Sequence, residues 1–210
     1  EAARQADWEN ATFVRDLFLG DFRFDLIDPY PDPDDFISDR CREFLDELRL
    51  YLRREVDSER IDRERKIPAE VVDRLRRMGA FGLKIPSEYG GLGFGQVEYN
   101  QVMATLGSVD GSLVALLSAH QSIGVPQPLK MFGTEEQKKK YLPRLASGES
   151  LAAFGLTEAE AGSDAAAMPD TGIICRQDFN GERDVLGIRL NWEKRYITLG
   201  PVATLLGLAF

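Results

Sequence analysis

The chain has 210 residues, an apolar fraction of 43% and a formal net charge of −9. That is enough for one large or two small domains with a buried core. The acidic balance argues against a nucleic-acid binder, which needs clustered Lys and Arg to neutralise phosphates.

Residues 1–31 carry aromatic anchors at Trp8, Phe13, Phe18, Phe22, Phe24 and Tyr30. The spacing of Phe13, Val14, Leu17 and Phe18 predicts a short helix around Thr12–Leu19. Pro29, Pro31 and Pro33 then interrupt regular structure. Asp32-Pro33-Asp34-Asp35 reads as a helix start, with Asp32 as cap and Pro33 at the first helical position. Ile37, Cys41, Phe44, Leu45, Leu48 and Leu52 continue that helix to about Glu55. A second helix runs from near Pro68 to a cap at Gly79. The turn-rich stretch Ile85–Gly93 leads to a third helix over about Gln96–Leu106. A fourth, over about Ser112–Ser122, is apolar nearly all round and is expected to be buried in a core or to lie beside an apolar ligand. Thr134-Glu135-Glu136-Gln137 is a capping box opening a helix that ends near Ala146. The basic run Lys138–Lys140 falls on that helix and reads as a solvated face.

After Gly148 the texture changes. Leu151–Leu156 is a short apolar run. Ile173, Ile174, Val185, Ile188, Leu190, Tyr196 and Ile197 fall in short segments separated by Gly, Asp and Asn, which predicts strands. Helices followed by strands, with the change near residue 150, predict a multi-domain α+β chain. Cys41 and Cys175 belong to no Cys/His cluster, so neither a disulfide framework nor a metal site is suggested, and a reducing compartment is the default. No run approaches the ~18 apolar residues that span a bilayer, and no signal peptide opens the chain. The chain begins at Glu1 rather than Met and stops inside the apolar run Leu205–Phe210. It is therefore expected to be a piece of a longer protein.

Four segments carry a resemblance. They are Ile85-Pro86-Ser87-Glu88-Tyr89-Gly90-Gly91-Leu92-Gly93, Phe132-Gly133-Thr134-Glu135-Glu136-Gln137-Lys138, Tyr141-Leu142-Pro143-Arg144-Leu145-Ala146-Ser147-Gly148-Glu149, and Gly155-Leu156-Thr157-Glu158-Ala159-Glu160-Ala161-Gly162-Ser163-Asp164. In this order and spacing the chain resembles the acyl-CoA dehydrogenase family from about Pro33 to Phe210. Ala119-His120-Gln121-Ser122-Ile123-Gly124 is similar to the very-long-chain branch. Trp192–Thr198 and Pro201–Phe210 are similar to the large bacterial enzymes of fatty-acid breakdown. The resemblance implies an extension (1–32), an N-terminal helical domain (33–150) and an incomplete middle β-barrel domain (151–210), with the C-terminal helical bundle absent.

The small residues from Thr157 to Asp164 let a ligand approach the backbone, and such a loop can present N–H groups to an electron-rich edge or a phosphate. Read from the residues alone, the same stretch is an ordinary strand-exit turn. The resemblance makes it the cradle of FAD. It implies that Phe154, Leu156 and Thr157 contact the isoalloxazine, and that Gly162 and Ser163 serve the pyrophosphate or the bound acyl-CoA. Ala159 stands where the family usually has Pro. Tyr196 and Thr198, two apart on an expected strand, would share a face. The family places an aromatic, often Trp, and a hydroxyl at these positions against the flavin. His120 alone reads as a satisfied core residue; the resemblance adds a substrate-binding, pocket-lining role. Glu88 and Tyr89 belong to a turn and are expected to be structural. The family's glutamate base belongs to the missing bundle, so no catalytic residue is assigned.

The implied activity is FAD-dependent dehydrogenation of long-chain acyl-CoA to trans-2-enoyl-CoA in β-oxidation, with electrons passed to an electron-transfer flavoprotein. Two alternatives stand beside it: an acyl-CoA oxidase, and a non-catalytic flavoprotein acting in assembly. A homo-oligomer is implied for the full-length protein. The location implied is cytoplasmic in a bacterium, with peripheral association at the inner face of the membrane as a variant, or mitochondrial in a eukaryote.

Overall fold

The computed structural model describes residues 12–210, so Trp8 lies outside the described residues. Helix α1 (Phe13–Phe18) forms where the apolar spacing predicts it. Its aromatic neighbours do not anchor the extension in the core. Phe18, Phe22, Phe24 and Tyr30 are exposed, while Phe13, Phe22 and Phe24 pack on one another.

The helix expected from Asp32 starts later. Asp32 does cap, accepting from the Asp34 N–H at 2.9 Å, but it caps only a 3-10 turn over Pro33–Phe36. Ile37 is extended, and Ser38 then caps α2 (Asp39–Glu55) through the Cys41 N–H. Glu98 explains the break. One carboxylate oxygen accepts from the Ser38 N–H and hydroxyl at 2.9 and 2.6 Å, and the other accepts from the Gly95 N–H at 2.7 Å. Glu98 thereby ties the start of α2 to the start of α5 (Gln96–Gly107), against which α2 packs.

Between them lie α3 (Ser58–Glu64), too short and too polar to leave a clear period, and α4 (Ala69–Met78), closed by Gly79 in the left-handed conformation. The connector 82–94 folds back on itself: Leu92 donates to Gly82 O, Gly93 to Ile85 O and Phe94 to Leu83 O. A Cβ on Gly91 would sit 1.9 Å from the Ile85 carbonyl oxygen, so only glycine fits there.

Helix α6 (Gly111–Ser118) buries Leu113, Leu116 and Leu117 but leaves Ala115 exposed, so it is one-sided rather than wholly buried. It runs on through a π turn, Ala119–Ile123. Helix α7 (Pro126–Phe132) follows, and α8 (Glu135–Ala146) opens with the capping box at Thr134 and Gln137. The main core gathers α2, α4, α5, α6 and the first part of the connector. A second cluster of Ile85, Leu142, Leu145, Ala146 and Ala152 joins α8 to the first strand.

The change from helix to strand falls between Ala146 and Ala152. Strand β1 (Ala152–Gly155) pairs in parallel with β4 (Leu205–Leu208), Phe154 lying opposite Gly207. Between them β2 (Thr171–Phe179) and β3 (Glu182–Asn191) form a separate antiparallel hairpin with apolar side chains exposed along its length. Tyr196 and Ile197 are not on a strand. The stretch takes no strand pairing, and Tyr196 and Leu199 both take positive φ, 55° and 64°, so it is a bent loop. No helix among the described residues is long and apolar enough to cross a membrane.

Candidate functional site

The site forms at the carboxyl end of β1. The strand is built from small residues, Ala152, Ala153 and Gly155, which lets it lie close to its neighbours. Phe154 is half-buried; a Cβ on Gly207 would come 2.8 Å from its ring, so glycine at 207 makes room for the aromatic. Beyond Gly155 the chain leaves the sheet, and the Glu158 N–H donates back to the Ala161 carbonyl at 2.9 Å. Half-buried Leu156 and Thr157 lead to exposed Gly162 and Ser163. Nothing lies within 4 Å of where a Gly162 Cβ would stand.

The second half of the site comes from the loop after β3. The Arg195 N–H donates to the Thr157 carbonyl at 2.8 Å, which lays 192–198 beside the strand exit. Tyr196 is 91% exposed and Thr198 is also exposed. The fold therefore lays the stretch that bears Tyr196 and Thr198 beside the strand exit that bears Phe154, Leu156 and Thr157, with Gly162 and Ser163 farther along that loop. The expected shared strand face for Tyr196 and Thr198 is corrected: it is loop geometry that presents them.

The N–H groups of Thr157, Gly162 and Ser163 make no hydrogen bond with the described residues. The two loops thus carry three open amides, the hydroxyls of Thr157, Ser163 and Thr198, and one open aromatic ring, a donor-rich set. Such a set suits a planar ligand with acceptor atoms along one edge and a phosphate attached.

His120 is elsewhere. It is fully buried at the π turn, its ring edge-on to Phe81 at 5.4 Å. Nε2–H donates to the Leu145 carbonyl at 3.0 Å, and Nδ1 accepts from the Ala152 N–H at 3.1 Å. Burial lowers its pKa from 6.5 to about 4, although the bond to a carbonyl favours the cation. Both nitrogens are used, so the expected substrate contact is replaced by a structural one: His120 pins β1 to the end of α8. Gln121 does similar work, donating to Ala80 O at 2.8 Å and accepting from the Lys84 N–H at 3.3 Å. Tyr89 donates to Glu135 at 3.2 Å, a surface tie in keeping with its turn.

Sequence reasoning missed a buried ionic cluster behind the site. The Lys194 ammonium hydrogen-bonds Glu158 and lies 2.9 Å from an Asp170 carboxylate oxygen. The Lys194 and Glu158 side chains are 1% and 4% exposed. A signal was present: Glu158 and Lys194 are charged residues inside two quoted motifs otherwise read for small, aromatic and hydroxyl side chains.

The family model described as "Acyl-CoA dehydrogenase, N-terminal domain" matches residues 38–149. The "Probable acyl-CoA dehydrogenase FadE10" of Mycobacterium tuberculosis is 47% identical over 206 residues, which are 98% of this chain and 30% of that protein. The human mitochondrial very long-chain specific acyl-CoA dehydrogenase is 36% identical over 174 residues, 81% of this chain and 26% of that protein. A crystal structure of an acyl-CoA dehydrogenase from Bacillus anthracis, complexed with FAD, superposes with a TM-score of 0.66 at 30% identity, covering 83% of this chain and 29% of that one. The chain thus spans less than a third of the length of these relatives.

Proposed function

Because this chain belongs to the acyl-CoA dehydrogenase family, we propose that the full-length protein is a flavoenzyme that oxidises long-chain acyl-CoA thioesters to 2-enoyl-CoA and hands the electrons to an electron-transfer flavoprotein. The observation that supports this most is the joining of the strand-exit loop and the 192–198 loop by the Arg195–Thr157 bond. It lays side by side two distant stretches that carry hydrogen-bond donors and an aromatic ring.

FAD, when bound, supplies the acceptor for the hydride leaving the β carbon. The chain's own residues bind and orient. Thr157, with its hydroxyl and open N–H, and the Thr198 hydroxyl offer donors to an electron-accepting edge. Phe154, Leu156 and Tyr196 offer surface to a ring, and Gly162 and Ser163 offer open amides to the pyrophosphate or to the bound acyl-CoA. Long-chain preference rests on the likeness to the relatives named above.

The test is anaerobic titration of the purified full-length protein with acyl-CoAs from short to long. Bleaching of the flavin band, strongest with long chains and reoxidised by an electron-transfer flavoprotein faster than by oxygen, is the expected result. Fast reoxidation by oxygen would mean an oxidase, and no bleaching with any chain length would defeat the reading.

A further inference from the structure

We propose that Lys194 is a positioning residue of this site: its buried ammonium, held between Glu158 and Asp170, locks the strand-exit loop against the 192–198 loop so that both present their flavin-facing groups together. The proposal rests on the reading of this surface as the flavin site.

The two loops lack regular structure of their own. Loop 192–198 bends through Tyr196 at positive φ, and the strand-exit loop is cross-linked internally by one backbone bond, Glu158 to Ala161. Between them run the Arg195–Thr157 bond and the side chain of Lys194, which crosses behind the site. Its Cγ would lie 3.4 Å from a Cβ on Gly155, so the stem passes close along the end of β1.

The charges make the lock selective. Burial alone would lower the Lys194 pKa, but the two carboxylates outweigh it and hold the amine charged. Lys194 in turn keeps Asp170 below the usual carboxylate range. Asp170 Oδ2 is buried, and the ammonium 2.9 Å away is the charge it faces. Two acids share one base. Removing the base leaves two like charges with nothing between them, and the loops separate to hydrate them. A buried ion pair adds little net stability, and its value here is in selecting one arrangement of two flexible segments. Glu158 is adjacent to Thr157, and Lys194 is four residues from Thr198. A displacement of either loop therefore reaches the groups that would meet the cofactor.

The experiment uses the full-length protein, stripped of flavin and reconstituted with FAD. Lys194→Met, Lys194→Arg and Glu158→Gln are compared with wild type and with Lys138→Met, which removes an ion pair with Glu135 within the first turns of α8. Readouts are the FAD dissociation constant, the fine structure of the bound-flavin spectrum and the two-electron potential. Lys194→Met should weaken FAD binding about tenfold or more, blur the spectrum and shift the potential. Lys194→Arg should restore most of the loss, Glu158→Gln should fall between, and Lys138→Met should match wild type. Wild-type affinity, spectrum and potential in Lys194→Met would overturn the positioning role while leaving the flavin reading intact. If Lys194→Met does not fold, Glu158→Gln decides by the same readouts: weaker binding with a changed spectrum supports the role, wild-type behaviour overturns it. Failure of wild type to bind FAD would defeat both readings.

Discussion

Replacing His120 by Phe removes the link between the helices and the first strand while keeping an aromatic ring against Phe81. The Ala152 N–H loses its partner in a fully buried place, while the Leu145 carbonyl loses one of two, keeping the Gly148 N–H at 3.1 Å. The orphaned N–H costs about 1–3 kcal/mol and the lost bond to the carbonyl about 1 kcal/mol, so a loss of about 2–4 kcal/mol is expected at neutral pH. The pH dependence is the sharper test. A second proton on the ring must go to Nδ1, where it would face the Ala152 N–H instead of accepting from it. The folded pKa of about 4 lies below the ordinary 6.5. The neutral ring's contribution is therefore fully present above pH 6.5 and lost as pH falls towards 4, on the order of 3 kcal/mol in all and about 2 kcal/mol by pH 5. The variant lacks this titration. Denaturant unfolding of the full-length protein, followed by the helical circular dichroism signal, should show a large gap between wild type and variant at pH 7.5 that narrows by about 2 kcal/mol at pH 5. A gap that stays constant or widens would refute the neutral, doubly bonded imidazole.

Gly91→Ala should lower the thermal midpoint sharply, because its Cβ would overlap the Ile85 carbonyl; Gly90→Ala, with open space but a φ of +82°, should cost only about 1 kcal/mol. Glu98→Ala should lose about 1.5–3 kcal/mol per the worth of bonds to a charged group, measured by urea unfolding. Burial raises the Glu98 pKa, but bonds from Ser38 and Gly95 outweigh it and hold it below 4.5. Its contribution is thus present above pH 4.5 and lost as pH falls through the lower folded value, and the variant should show less acid sensitivity there. Thr134→Ala breaks the capping box of α8 and should cost about 1 kcal/mol by thermal unfolding.

Much of the fold was legible because period and caps agree. Leu75 and Met78 mark the buried face of α4 and Gly79 its stop; Thr134 and Gln137 mark the start of α8. The misreadings share a cause: a long-range partner decides what a local signal cannot. Asp32 looks like the better helix start, yet Ser38 wins because Glu98, sixty residues away, holds it. Tyr196 and Thr198 look like strand neighbours, yet Lys194 and Arg195 are tied to the strand-exit loop and the chain bends. The aromatics of the extension look like anchors but find no buried groove among the described residues. At the site, the motifs named the surface residues, whereas the ion cluster left only two charged residues among small and hydroxyl side chains as its mark, because Glu158, Asp170 and Lys194 converge only in three dimensions.

The central claim is that Thr157 and Thr198, on two loops joined by one backbone bond, face the same flavin. The most direct measurement is the two-electron flavin potential of full-length protein carrying Thr157→Val, Thr198→Val or both. A hydroxyl donating to the cofactor stabilises the electron-rich reduced form. Losing ~1.4 kcal/mol of that preference lowers a two-electron potential by roughly 30 mV. The account predicts a fall of this order in each single variant, with a slower reductive half-reaction and an unchanged helical signal. Wild-type potential, spectrum and rate in the double variant would contradict it.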